Sequence, residues 1–172
     1  MKELKTHFKE FWVELGLQTT KKETMELLNL QYTFTEFKKA VKLLNDANID
    51  VIVHIIDGLP YESKEDQIQT IKDVSALNIQ GLKIHILNIL KNTKIGELYK
   101  EKTFDVLTEE SFIDIVTTQL TYLKDDVIIH RIGADSKSDD LIAPLWVRKK
   151  MSIVDKIDTL MEESNVFQGE KF

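Results

Sequence analysis

The sequence contains no cysteine, only two prolines and six glycines, and no apolar run long enough to cross a bilayer. The missing cysteine excludes the most. Disulfides, zinc sites built on thiolates and iron–sulfur clusters held by this chain alone all require sulfur ligands. The start, Met1 to Lys9, alternates charged residues with single apolar ones and lacks the apolar core of a secretory signal. An intracellular, cytoplasmic protein without a membrane partner is therefore expected. The net charge of −6 repels phosphate and argues against non-specific nucleic-acid binding by the whole surface. The basic clusters Lys38-Lys39 and Arg148-Lys149-Lys150 read as solvated helix faces.

What is present suits one globular domain. The chain has 172 residues, 42% hydrophobic and 30% charged, without low-complexity tracts, internal repeats or a long linker. Four segments read as buried strands: Phe11–Leu17, Val51–Asp57, Gly81–Leu87 and Val127–Ile132. Val51-Ile-Val-His-Ile-Ile56 is nearly all apolar rather than alternating, as parallel strands covered on both faces are. Between them apolar residues recur at helical spacing: Phe34, Phe37, Val41 and Leu44; then Ile68, Ile71 and Val74; then Phe112, Ile115, Val116, Leu120 and Leu123. Ser63 with Asp66, and Thr108 followed by Glu109-Glu110, mark helix starts. A last helix is predicted from about Pro144 to Glu163, with a Val166–Phe172 tail.

The expected fold class is α/β: four parallel βα units forming half of a TIM-type barrel, with a C-terminal helical extension. Residues 1–10 form a helical lead-in, 11–143 the partial barrel, and 144–172 the helix and tail.

In parallel α/β folds ligands gather at the C-terminal ends of the strands. Here those ends read Gly16-Leu-Gln18-Thr-Thr20, Asp57-Gly58-Leu-Pro60, Leu87-Asn88 and Arg131-Ile-Gly133-Ala-Asp135. Gln18 offers a donor and an acceptor, suited to an adenine edge or a carboxylate. Gly58 marks either a close backbone approach to a ligand or a tight strand-to-helix turn. His54, His85 and His130 lie in three successive strands, a pattern open to metal binding or proton shuttling, or to buried imidazoles bonded within the core. His54 and Asp57, three apart, point to opposite faces of an ideal strand. Lys83 shares a face with His85, which raises a Schiff-base lysine or a lysine that snorkels to solvent. P-loop, nucleophile-elbow and dinucleotide fingerprints are absent from the sequence.

The ordered blocks Trp12-Val-Glu-Leu-Gly-Leu-Gln-Thr19, His54-Ile-Ile-Asp-Gly-Leu-Pro60, Gly81-Leu-Lys-Ile-His-Ile-Leu87, Ile129-His-Arg-Ile132 and Leu141-Ile-Ala-Pro-Leu-Trp146 carry a resemblance. Together with Phe167-Gln-Gly169 they resemble the C-terminal half of the YhcC/YtqA-type radical S-adenosylmethionine (SAM) proteins, relatives of the Elongator catalytic subunit. The resemblance implies a partial (βα)₆ barrel, of which these strands would be the fourth onwards. It further implies SAM, and a [4Fe–4S] cluster on a CxxxCxxC loop that this sequence lacks, as cofactors of the family. The substrate class it implies is tRNA wobble uridine.

Carried over by residue, Gln18, His54, Ile56 and Gly58 fall on positions lining the family's SAM pocket, with His85, His130, Arg131 and Lys91 as further candidates. No catalytic or metal-binding residue is assigned. Where the family reads Asn-Arg-Gly-His, the arginine serving the methionine carboxylate, this chain reads Asn29-Leu30-Gln31-Tyr32. Leucine cannot pair with a carboxylate. Gly-Leu-Pro-Gly becomes Gly58-Leu59-Pro60-Tyr61, and Lys-Gly-Thr becomes Lys91-Asn92-Thr93.

Three readings follow. The chain is a truncated homologue that binds no cofactor alone and is not catalytic by itself; or it is part of an active enzyme whose cluster sits on other residues or on a separate chain; or it is a metal-dependent half-barrel using the strand histidines. Without the first strands, the inward faces and the edge led by Phe11 and Val13 are expected to drive homo-oligomerisation, unless the Met1–Lys9 segment or the tail covers them.

Overall fold

β-branched side chains fill five of the six positions from Val51 to Ile56, and such residues favour the pleated, buried interior of a sheet. The computed structural model describes residues 11–133 and 139–172. The expected lead-in at residues 1–10 and the residues Ala134 and Asp135 lie outside them.

In chain order the elements begin β1 (Trp12–Gln18), α1 (Lys22–Leu27), α2 (Phe34–Asp46), β2 (Asp50–Asp57), α3 (Lys64–Ser75) and β3 (Gly81–Ile86). They continue with β4 (Ile89–Leu90), α4 (Lys94–Lys100), α5 (Glu109–Tyr122), β5 (Ile128–Ile132) and β6 (Leu141–Ala143). A 3₁₀ segment, Leu145–Lys149, leads into α6 (Lys150–Glu163).

Four strands pair in parallel in the order β1-β2-β3-β5, an open sheet rather than a closed barrel. The α/β class and the four parallel strands agree with the expectation. Three details differ. The helix expected from Pro144 starts at Lys150, because the preceding residues wind as the tighter 3₁₀ form. The short α1 and α4 carry too few apolar repeats to register as helices in the sequence. β4 and β6 form an antiparallel two-stranded sheet whose pairing links residues about fifty positions apart, beyond the reach of a local pattern.

The two-residue period of a strand divides the sheet into two faces. Leu17, Val51, Val53, Ile55, Leu82, Ile84 and Ile86 belong to the main core. Against them pack Phe37, Val41 and Leu44 of α2, Ile71 and Val74 of α3, Phe112, Val116 and Leu120 of α5, and Ile153 and Ile157 of α6. The opposite face carries Trp12, Glu14, Gly16, Ile52, His54, Ile56, Lys83 and His85. On that face Gly81 makes room for a neighbour: a Cβ there would lie 2.6 Å from the His130 ring and 3.0 Å from Ile52.

Two helix starts are fastened as the sequence suggests, at Ser63 and Thr108, and a third is added by Thr33. Ser63 and Asp66 form a reciprocal capping box on α3, and Thr33 and Glu36 form another on α2. Thr108 caps α5 by accepting from the Ser111 N–H. The tail folds back on the α5–β5 connection: Gln168 Nε2 donates to the carbonyls of Lys124 (2.6 Å) and Val127 (2.8 Å), and Lys171 N–H to that of Thr121 (2.8 Å). It closes the end of α5.

Ser63→Ala removes the acceptor for the Asp66 N–H and is expected to lower stability by about 1 kcal/mol. Urea unfolding with an unchanged m-value is the measurement; a change near zero would show that the box contributes nothing.

Candidate functional site

The strand ends meet in a rim of interlocked loops. At the end of β1 the register slips between Gly16 and Gln18, and Gln18 takes a positive φ of 70°. Its amide folds back over Gly16, so close that a Cβ on Gly16 would meet Gln18 Nε2 at 2.7 Å. The Tyr32 hydroxyl donates to the Gly16 carbonyl, and burial pushes that phenol above its ordinary pKa. Leu30, Gln31 and Tyr32, with Met25 and Phe34, line a cleft of about 610 Å³. The position where the family pattern has its arginine therefore contributes an apolar wall.

Beside it, β2 ends in Asp57-Gly58. Gly58 has φ 78°, donates its N–H to Gln67 Oε1 at 2.9 Å, and a Cβ there would press on Leu107 at 3.1 Å. Its role in the structure is the tight turn. Tyr61 also holds a positive φ, 63°; its exposed ring meets Phe104 edge-on, centroids 6.5 Å apart. Glu62 ties the first two strand ends together by accepting from Thr19 Oγ1 at 2.6 Å. Burial pushes its carboxyl above the ordinary range, against the pull of Thr19 and Thr24. Lys21 completes the lock, donating to Asp66 at 2.7 Å and to the Tyr61 carbonyl at 2.9 Å.

A second group occupies the sheet face away from the helices. Glu14 Oε2 lies 2.6 Å from Lys83 Nζ and 2.8 Å from His54 Nε2. The Lys83 hydrogen bond is the main cause that holds the Glu14 carboxyl down at about 2. Strand register sets His54 opposite Lys83 and Ile56 opposite His85, and the two imidazoles sit with centroids 5.3 Å apart. His54 and Asp57 do point to opposite faces.

The remaining candidates lie elsewhere. His130 lies over Gly81 on the same sheet face and packs toward Trp12, centroids 6.2 Å apart, whereas His54 and His85 stack on each other. Among the described residues no group of three or more His, Cys, Asp or Glu side chains could hold a metal ion. The Lys83 ammonium is taken up by Glu14, unlike a free amine awaiting a carbonyl. Arg131, opposite Lys83 on the outer strand, lines a second cleft of about 670 Å³ with His130, Asp158 and Gln168. Lys91 Nζ donates to the Asp139 carbonyl at 2.9 Å, a local tie near the small sheet.

The structure thus gathers His54, Ile56, Lys83 and His85 on one face and sets Gln18 and Gly58 at its rim. Glu14, Glu62 and Tyr32 were not singled out from the sequence. Glu14 carried a usable signal, a lone charge between Val13 and Leu15 in a strand. Glu62 carried none, since its partner Thr19 is 43 positions away. A [4Fe–4S] cluster does not fit this residue set, because the sequence supplies no thiolate.

Comparison with known proteins gives the following. A family model described as the Radical SAM superfamily matches residues 1–74, and one described as the Radical SAM C-terminal domain matches residues 79–163. The protein YtqA of Bacillus subtilis (strain 168) is 34% identical over 161 residues, covering 94% of this chain and 50% of YtqA. A tRNA uridine(34) acetyltransferase of Methanocaldococcus jannaschii is 24% identical over 157 residues, covering 90% of this chain and 28% of that protein. The solved structure of Methanocaldococcus infernus Elp3 with an N-terminal deletion superposes with a TM-score of 0.82 at 22% identity. It covers 91% of this chain and 37% of that one, and shows a shared fold. The chain spans about half the length of YtqA.

Glu14→Gln leaves His54 and Lys83 without their carboxylate and is expected to lower neutral-pH stability by about 1 kcal/mol or less, since the pair is partly exposed. The sign with pH is fixed by the lowered carboxyl. Its contribution is full above the ordinary 4.5 and is lost as pH falls toward about 2. Acid unfolding curves should therefore converge for the two proteins below that window; a constant gap would refute the ion-pair account.

Proposed function

Because the chain belongs to the radical SAM superfamily, we propose that it supplies the cofactor- and substrate-facing wall of such an enzyme and generates no radical by itself. The observation that carries this reading is a contrast. The strand-end rim and the second sheet face keep an organised polar set, while the sequence has no cysteine to ligate a cluster. The cluster would then be held by residues outside these 172, on a separate polypeptide segment.

Gln18, His54, Ile56 and Gly58 are the residues proposed to face SAM. The first two have hydrogen-bonding atoms for an adenine or a polar substituent, and Gly58 contributes through the turn that sets the rim. A reduced cluster held elsewhere would supply the electron that cleaves SAM into methionine and a carbon-centred radical; this chain's part would be to bind and orient. Leu30 offers no charge for a carboxylate, which supports the reading that this chain alone binds no cofactor. The relative's name, tRNA uridine(34) acetyltransferase, supports uridine in tRNA as the substrate class of the complete enzyme. A cytoplasmic location suits that substrate. Among the described residues, no helix is long and apolar enough to cross a membrane.

A partner surface belongs to the same proposal. Trp12 on β1 is 53% exposed and Ile128 on β5 is 65% exposed, so both outer strands present large apolar groups. Those strands suit either a cluster-bearing segment or a second copy of this chain.

Two experiments decide. Anaerobic reconstitution of the pure chain with iron, sulfide and SAM should leave it colourless, with no methionine or 5′-deoxyadenosine formed under reductant. A brown protein that cleaves SAM would overturn the proposal. Sedimentation over a range of concentrations should show association through the outer strands, reversed by Trp12→Glu or Ile128→Glu. A monomer throughout would remove the second copy as a partner.

A further inference from the structure

Asp57 closes β2 with its side chain on the helix-packed face, 2% exposed. Its Oδ1 accepts from Gln119 Nε2 at 2.8 Å, and the same nitrogen gives its second proton to the Gln67 carbonyl at 3.2 Å. Gln119, on α5, is fully buried. Two oxygens remain, Asp57 Oδ2 and Gln119 Oε1, and neither has a partner. They belong to the two groups already joined. An ionised carboxylate and an amide oxygen can only accept, so an ionised Asp57 leaves both orphaned in the core, at a desolvation penalty for each. One proton on Oδ2 removes both deficits: the acid O–H donates to the amide oxygen while the amide N–H donates to the acid oxygen.

We propose that Asp57 is a neutral carboxylic acid locked to Gln119 by two hydrogen bonds, and that this pair is a pH-sensitive clamp on the Gly58–Ser63 turn. The clamp reaches the turn through Gln67. That side chain accepts from the Gly58 N–H at 2.9 Å and donates to the Ser63 carbonyl at 3.1 Å, while its own carbonyl holds Gln119. The turn in turn carries Glu62 and the Tyr61 carbonyl, which hold Thr19 and Lys21 at the end of β1. Ionising Asp57 sets Oδ2 against the Gln119 oxygen and breaks one of the two bonds, and the loosening passes to the rim.

The charged groups around the pair favour the proton. Burial is the main cause pushing the Asp57 carboxyl up to about 7; the Gln119 bond pulls it down, and the Glu62 charge across the turn pushes it up. Asp66 of α3 is paired with Lys21, and Lys64 of α3 with Asp114 of α5. Lys83 and His85 of β3 stand on the opposite sheet face. The unfolded chain, near the ordinary 3.8, loses its proton first, so the folded state loses ground as pH rises from 3.8 to about 7.

Asp57→Asn replaces the acid by an amide that keeps both bonds and cannot titrate. The folding constant of Asp57→Asn relative to the wild type is expected to rise about tenfold per pH unit across that window and then level off. The Gly58 amide should lose at least about tenfold of its exchange protection in the wild type between about pH 6 and pH 8, and hold it in the variant. Isotope-edited infrared spectra of the wild type at about pH 6 should show the Asp57 carbonyl of a protonated acid. A pH-independent stability ratio, or a carboxylate spectrum at that pH with a bridging water satisfying both oxygens, would overturn the proposal. The infrared measurement needs only the wild-type protein and stands even if the variant fails to fold.

Discussion

The parallel ladder joining β1, β2 and β3 is the constraint on which the other features depend. Each strand feeds alternate residues to the helices and to the opposite face, so the register between strands fixes every side-chain meeting described above. His54 stands beside Lys83 because they are paired in register, and Glu14 meets both from the neighbouring strand on the same face. A shift of one residue in any strand would exchange core for polar face throughout. The apolar set Val51, Val53 and Ile55 holds that register because each of its members is buried against a helix. The polar face is thus aligned by groups that lie on the other side of the sheet.

Much of this was legible in the residues. The β-branched run at Val51–Ile56 gave the central strand, the periodic Phe37, Val41 and Leu44 gave a helix, and Ser63 with Asp66 gave its neighbour's start. These signals are local, and local signals survive without knowledge of the tertiary fold. The small sheet was not legible, since Ile89 and Ala143 are ordinary apolar residues until a long excursion brings them side by side. The site was partly legible for the same reason. Strand alternation placed His54, Lys83 and His85 correctly, while the bond from Glu62 to Thr19, and the tie from Asp57 through Gln119 to Gln67, run between residues far apart in sequence. The three histidines illustrate the limit: their places in successive strands left both a cluster and separate imidazoles open, and the structure sets the third over Gly81 beside Trp12.

Two polar systems lie on opposite sides of one strand and have opposite electrostatic character. On the exposed side, Glu14 stays ionised because two donors face it. On the buried side, Asp57 is short of donors, with one amide and no cation at hand. Solvation and partner supply, rather than residue type, decide which carboxyl carries charge.

The backbone at Tyr61 has an evolutionary corollary. A left-handed conformation suits glycine and strains a tyrosine by roughly 1–2 kcal/mol, whereas an edge-on aromatic contact such as that with Phe104 returns about 0.5–1.5 kcal/mol. The two nearly cancel. The turn has a backbone shape that suits a residue without a side chain and carries one of the largest, with the ring contact offsetting part of the strain. The choice of residue at this corner of the rim is therefore left to what its neighbours, Phe104 first among them, accommodate.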